Sequence, residues 1–95
     1  MNLSKPSQKV YSNTSQAQRQ RLKSQLHEHG SFTTVYARDV LDVPSPAPRV
    51  FELRHNEGLN IQSVWTTDKT VQGIKHKFVR YVLKSGKYGD YANDK

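Results

Sequence analysis

Apolar residues recur along this chain with two different periods, and the change between them falls near residue 60. Upstream, the spacing is helical. Ala17 or Gln18, Leu22, Leu26 and His29 fall on one face of a helix, while Arg19, Arg21 and Lys23 point elsewhere. The spacing predicts a first helix over 15–29, opened by a Ser-x-x-Gln capping box at Ser15 and Gln18 and stopped by Gly30. A short second helix is expected after Thr33 as N-cap, with Phe32 stapling onto Ala37. Ala37, Val40 and Leu41 give its apolar stripe. It ends near Asp42 and Val43, because the residue before Pro44 is pushed out of the helical region. The third helix starts with Ser45 as its cap, Pro46 in the first helical position and Pro48 still within the first turn, where a missing N–H costs nothing. It runs to about Asn56, with Gly58 as the stop. Val50 and Leu53 face inward with Phe51 at their flank, and Ser45, Arg49, Glu52 and Asn56 form the polar face.

Downstream the pattern changes to that of strands. Residues 61–67 and 77–83 are rich in β-branched and aromatic side chains, and the polar stretch 68–73 between them ends in Gly73. This predicts an antiparallel hairpin with Val79, Tyr81 and Leu83 on the core face and Phe78, Arg80 and Val82 on the other. Trp65 is assigned to the core. Leu22, Leu26, Ala37, Val40, Leu41, Val50 and Leu53 are expected to link the three helices. Residues 1–14, with Lys5 and Lys9 but little to bury, read as a disordered basic arm. Residues 85–95, punctuated by glycines, read as a flexible tail, which leaves one domain over 15–84.

Three helices joined by short turns and followed by a hairpin give a mostly α fold class with a small β-hairpin. This is a winged helix-turn-helix, three helices plus a two-stranded antiparallel wing. Its shape suits DNA. A major groove about 12 Å wide accepts one helix, while a wing reaches flanking phosphates. Composition supports this: 15 Lys and Arg against 8 Asp and Glu give a net charge of +7, the footprint of a polyanion-binding domain. The third helix is then the reader. Arg49 is the leading candidate for a base contact, Glu52 either orients it or accepts from a cytosine amine, and Ser45 and Asn56 complete that face. Lys69, Lys75 and Lys77 suit phosphates from the wing, and Arg19 and Arg21 suit them from the first helix.

Other chemistry finds no residues to carry it. Without cysteine there is no disulfide or thiolate metal site, and His27 and His29, two apart on a helix, diverge and do not chelate together. No serine-histidine-aspartate set, phosphate-cradling glycine loop or paired carboxylate stands out, so no enzyme activity and no cofactor are expected. No apolar run approaches the roughly 18 residues of a membrane span, nor does the N-terminus resemble a signal peptide. A cytoplasmic protein of a bacterial host is expected, nucleoid-associated when bound. The competing class is a protein-interaction module that modulates a host protein. A groove-filling DNA mimic would tend to be acidic, and this chain is basic. A single-strand or double-stranded RNA binder is a third reading, without the aromatic-studded sheet that single strands require.

Several segments carry a family resemblance. Gln18-Arg19-Gln20-Arg21-Leu22, Gly30-Ser31-Phe32-Thr33-Thr34, Ala37-Arg38, Arg49-Val50-Phe51-Glu52-Leu53-Arg54, Gly58-Leu59-Asn60-Ile61 and Arg80-Tyr81-Val82-Leu83 resemble a winged helix-turn-helix family common in phage and prophage genomes. The likeness covers about residues 16–84. It implies a DNA-binding domain of the kind found in short phage regulators or excisionase-like architectural proteins, acting as a dimer or cooperatively on DNA.

Overall fold

The first helix, α1, is Ser15–His29. Its cap is Thr14, one residue earlier than expected, whose hydroxyl accepts from the Ala17 amide at 3.1 Å. With the cap moved, the residue three positions on is an alanine, so the reciprocal half of a capping box is missing. Gln18 donates instead to the Asn13 carbonyl at 3.0 Å. Gly30 closes the helix in the left-handed conformation, as its position predicts. This computed structural model describes residues 12–69 and 72–89; most of the expected basic arm, the middle of the 68–73 connection and the end of the C-terminal tail lie outside the described residues.

The next element was not foreseen. Ser31–Thr33 forms a three-residue strand, β1, before the short helix α2, Thr34–Asp39, begins under its Thr33 cap. Phe32 is therefore a buried strand residue rather than a staple. The third helix, α3, is Pro46–Glu57, ending at a left-handed Gly58 whose amide donates to the carbonyls of Arg54 and Leu53. Ser45 occupies the N-cap position, but its side chain makes no capping bond.

Strands β2, Leu59–Lys69, and β3, Lys75–Lys87, are longer than their apolar runs suggested. The sheet has three strands in the order β1-β3-β2, all antiparallel, rather than the expected two. β1 pairs across Ser31↔Val82, Phe32↔Tyr81 and Thr33↔Arg80. The expected boundary at residue 84 falls inside β3. Between Leu59↔Lys87 and Ile61↔Leu83 the ladder shifts register, and buried Asn60 sits at this irregularity. Its amide donates to the Ser85 carbonyl at 2.7 Å and its oxygen accepts from Gln62, so the buried polar group is satisfied.

The core lies between the helices and one face of the sheet. Leu22, Leu26, Ala37, Val50 and Leu53 are buried as expected, joined by Phe32, Val43, Ile61 and Tyr81. Leu41, Leu59, Val79 and Leu83 pack at its edge, which places Val79, Tyr81 and Leu83 on the predicted face. Phe32 and Tyr81 meet with ring centroids 5.2 Å apart. Two assignments are corrected. Val40 is 60% exposed, because α2 ends at Asp39 and the helical period no longer aims it inward; Val43 takes the place instead, its amide donating to the Ala37 carbonyl. Trp65 is 68% exposed: it stands on the edge strand β2, opposite Val79 at the margin of the core, and the core does not extend out to it.

Candidate nucleic-acid interface

The third helix meets the first through a polar seam. Arg49 donates to the Ser15 hydroxyl at 2.6 Å and to Glu52 at 2.9 Å, and Arg19 grips the other oxygen of Glu52 at 2.8 Å. One turn further, Lys23 pairs with Glu57 at 2.7 Å. Glu52 thus lies between two guanidiniums. The Arg19 hydrogen bond, reinforced by Arg49, holds its carboxyl below the ordinary carboxylate range, against a smaller opposing effect of burial. Arg49 is the most covered of these side chains, at 18% exposure, and its buried Nε has no hydrogen-bond partner among the described residues.

Arg21 is also held inside the domain. Its guanidinium donates to the carbonyls of Leu41, at 2.6 Å, and Asp42, and to the Asn13 side chain. These bonds tie α1 to the turn before α3, where Asp42 adopts a positive φ of 55°. Arg54, on the other flank of α3, donates to the Ile61 carbonyl and the Ser63 hydroxyl at 2.8 Å each and lies over the Tyr88 ring. The arginines nearest the proposed reading helix are thus each engaged in holding it in place.

The face expected to be polar is therefore split. Ser45 and Asn56 are exposed, but Arg49 and Glu52 turn toward α1. The solvent side of α3 is formed instead by Pro48, Phe51 and His55. Phe51 is 60% exposed rather than flanking the core, and its ring meets that of His55 at a tilt, centroids 4.2 Å apart; His55 in turn meets Tyr88 edge-on at 5.6 Å. This aromatic row was missed because Phe51 sits beside two core residues in sequence. Its spacing of four from His55 was the available signal.

The hairpin carries cations of a different kind. β3 bears Lys75, Lys77, Arg80, Lys84 and Lys87 with no acidic residue, and all five are exposed. Alternation along the strand puts Lys75 and Lys77 on the same side as Val79 and Tyr81, the side on which the helices pack. Arg80 is on the opposite side, where it donates to the Ser31 hydroxyl at 3.0 Å. Lys69 stands opposite Lys75 in the ladder. Of the nine residues singled out from the sequence, Lys69, Lys75 and Lys77 are brought together; Arg19, Arg49 and Glu52 form the seam; Arg21, Ser45 and Asn56 stand apart from both. Among the described residues, no group of three or more His, Asp or Glu is placed to hold a metal, and no helix is long and apolar enough to cross a membrane.

Three helices and a projecting, lysine-bearing hairpin reproduce the order the sequence predicted. Comparison with known families matches residues 17–86 to the winged helix-turn-helix domain. The chain belongs to that family. The match covers most of α1, all of α2 and α3 and nearly all of the sheet, and a small wing formed by the hairpin is consistent with it. No curated protein and no solved structure matches the chain significantly.

Proposed function

We propose that this winged helix-turn-helix protein binds double-stranded DNA, presenting α3 to the major groove and the wing to flanking phosphates. The observation that carries the reading is the placement of Lys75 and Lys77 on the helix-facing side of the wing, in a chain of net charge +7 that belongs to this family. Ser45, at the start of α3, is open to a phosphate. His55 and Asn56 are exposed polar groups on α3 that can meet base edges, and an asparagine suits adenine in particular. Arg49, bonded to Ser15 and Glu52, positions the helix rather than reading it. The biological role that fits is a small phage-type regulator or an excisionase-like architectural factor without catalysis of its own, acting in the bacterial cytoplasm. Pairing of two copies on DNA would supply the specificity that one short helix rarely gives alone.

A second reading, a module that binds a host protein, draws support from Val35 and Tyr36 on α2 and Val40 just past its end, which leave an apolar patch open to solvent. Duplex binding measured across a salt series separates the two. With four to six phosphate contacts, log K against log salt should fall with a slope of about −4 to −5, and the double variant Lys75→Ala, Lys77→Ala should be shallower by about two. A flat profile, or no duplex binding at low salt, would sink the DNA reading and favour the protein partner.

A further inference from the structure

The wing also carries an aromatic residue that the reading above leaves unused. Trp65 pairs with Val79 and Thr67 with Lys77, so Trp65 and Lys77 are diagonal neighbours across the ladder. The Lys77 ammonium lies 5.8 Å from the centre of the indole ring. Trp65 shares the helix-facing side of the wing with Lys75 and Lys77, and Ile74, at the turn, is 59% exposed. A single exposed aliphatic residue would carry no message. A two-thirds-exposed indole beside lysines on a projecting hairpin is different, since burying it against another protein or a lipid would also strip water from those ammonium groups. A nucleic-acid strand satisfies both at once, with a base face for the ring and phosphates for the lysines.

Resting on the DNA-binding reading, we propose that Trp65 makes the wing a stacking wedge for a base held loosely in the stack of a duplex, as at an internal mismatch. Inside a continuous duplex each base is covered above and below, so an indole can stack there only after prying a step open. At a mismatch that cost is smaller, because pairing no longer holds the two bases in place. Trp65 stacks on the loosened base while Lys75 and Lys77 hold the phosphates to either side. Stacking of this kind tolerates any base, because each presents a π-face. The wing thus adds selection for duplex structure to whatever sequence preference α3 supplies.

The chain has one tryptophan, so emission excited at the long-wavelength edge, where its five tyrosines do not absorb, reports on Trp65 alone. The full chain is titrated with a continuous duplex, the same duplex carrying one central mismatch, and its single strand, following both emission and affinity. The mismatched duplex should bind roughly tenfold more tightly than the continuous one and quench the emission strongly. Trp65→Phe should keep part of that preference, and Trp65→Ala should bring the ratio close to one; thermal melts confirm that both variants fold. If the continuous duplex binds with the expected salt dependence but the mismatch brings neither preference nor quenching, the wedge is overturned and DNA binding stands. If the single strand binds as tightly as the mismatched duplex, the wedge is overturned in favour of a single-strand platform. Failure of every duplex to bind overturns both proposals.

Discussion

Glu52 shows how one residue's neighbours change its meaning. Read in sequence it is a carboxylate on a helix face meant for DNA; in the fold it is the anion that two arginines share. Because its pKa is lowered on folding, in the pH window between the folded and ordinary values the unfolded chain binds a proton there that the native one does not. The contribution to stability is present above the ordinary glutamate value and lost as the pH falls through the lower folded one. Glu52→Gln should therefore lie furthest below the parent in stability at neutral pH and converge with it in strong acid, in denaturant melts across pH. An offset that stays constant with pH would mean that the pairing carries no electrostatic stabilisation. Arg49→Ala should be coupled to Glu52→Gln, so the double variant loses less than the two single losses together, as a double-mutant cycle will show.

At the scale of elements, the helices were the most legible part of the sequence. Gly30 and Gly58 mark helix ends because glycine enters the left-handed conformation without strain, Thr33 because its hydroxyl accepts from a first-turn amide, and Pro46 because its fixed φ suits the first turn, where no N–H is needed. Apolar spacing failed where a helix stopped before its pattern did. Ala37, Val40 and Leu41 look like one stripe, but past Asp39 the left-handed turn at Asp42 sends Val43 inward and leaves Val40 outside. Leu53→Ala should cost about 2–5 kcal/mol, whereas Val40→Ala should stay within about 0.5 kcal/mol. Similar losses at both would contradict this packing. The strands were less legible at their ends, since polar residues continue a ladder whose backbone pairs without apolar help. For the same reason β1 gave no signal: three residues have no period to read. Ending the chain after Lys84 should lower stability by about 1–3 kcal/mol, because Asn60 would lose the Ser85 carbonyl while still buried. Ending it after Gly89 should cost little, and thermal melts of the two truncations will separate them.

For the whole molecule, the division of charge matters more than its total. Arg19, Lys23 and Arg49 on α1 and α3 are matched by Glu52 and Glu57, while the cations on β3 have no acid on their own strand. The candidate site was thus half legible: lysines in a hairpin show their availability in sequence, but an arginine on a helix face does not reveal the carboxylate 33 residues away that engages it. Under the DNA reading, Asn56→Ala should narrow the gap between a selected duplex and a scrambled one, whereas Lys75→Ala should weaken both alike. Competitive binding of the two variants to both duplexes tests that split, and equal losses from Asn56→Ala would remove it from base reading. The small strand β1 has a consequence in time as well as in space. Ser31 and Arg80, which it brings together, are 49 residues apart along the chain. The ends of a loop that long must find each other before the contact gives any return, whereas Lys69 and Lys75, paired in the hairpin, are close in sequence. Refolding should therefore be slower than for a helical bundle of this length. Phe32→Leu, if β1 docks after the rate-limiting step, should speed unfolding far more than it slows refolding.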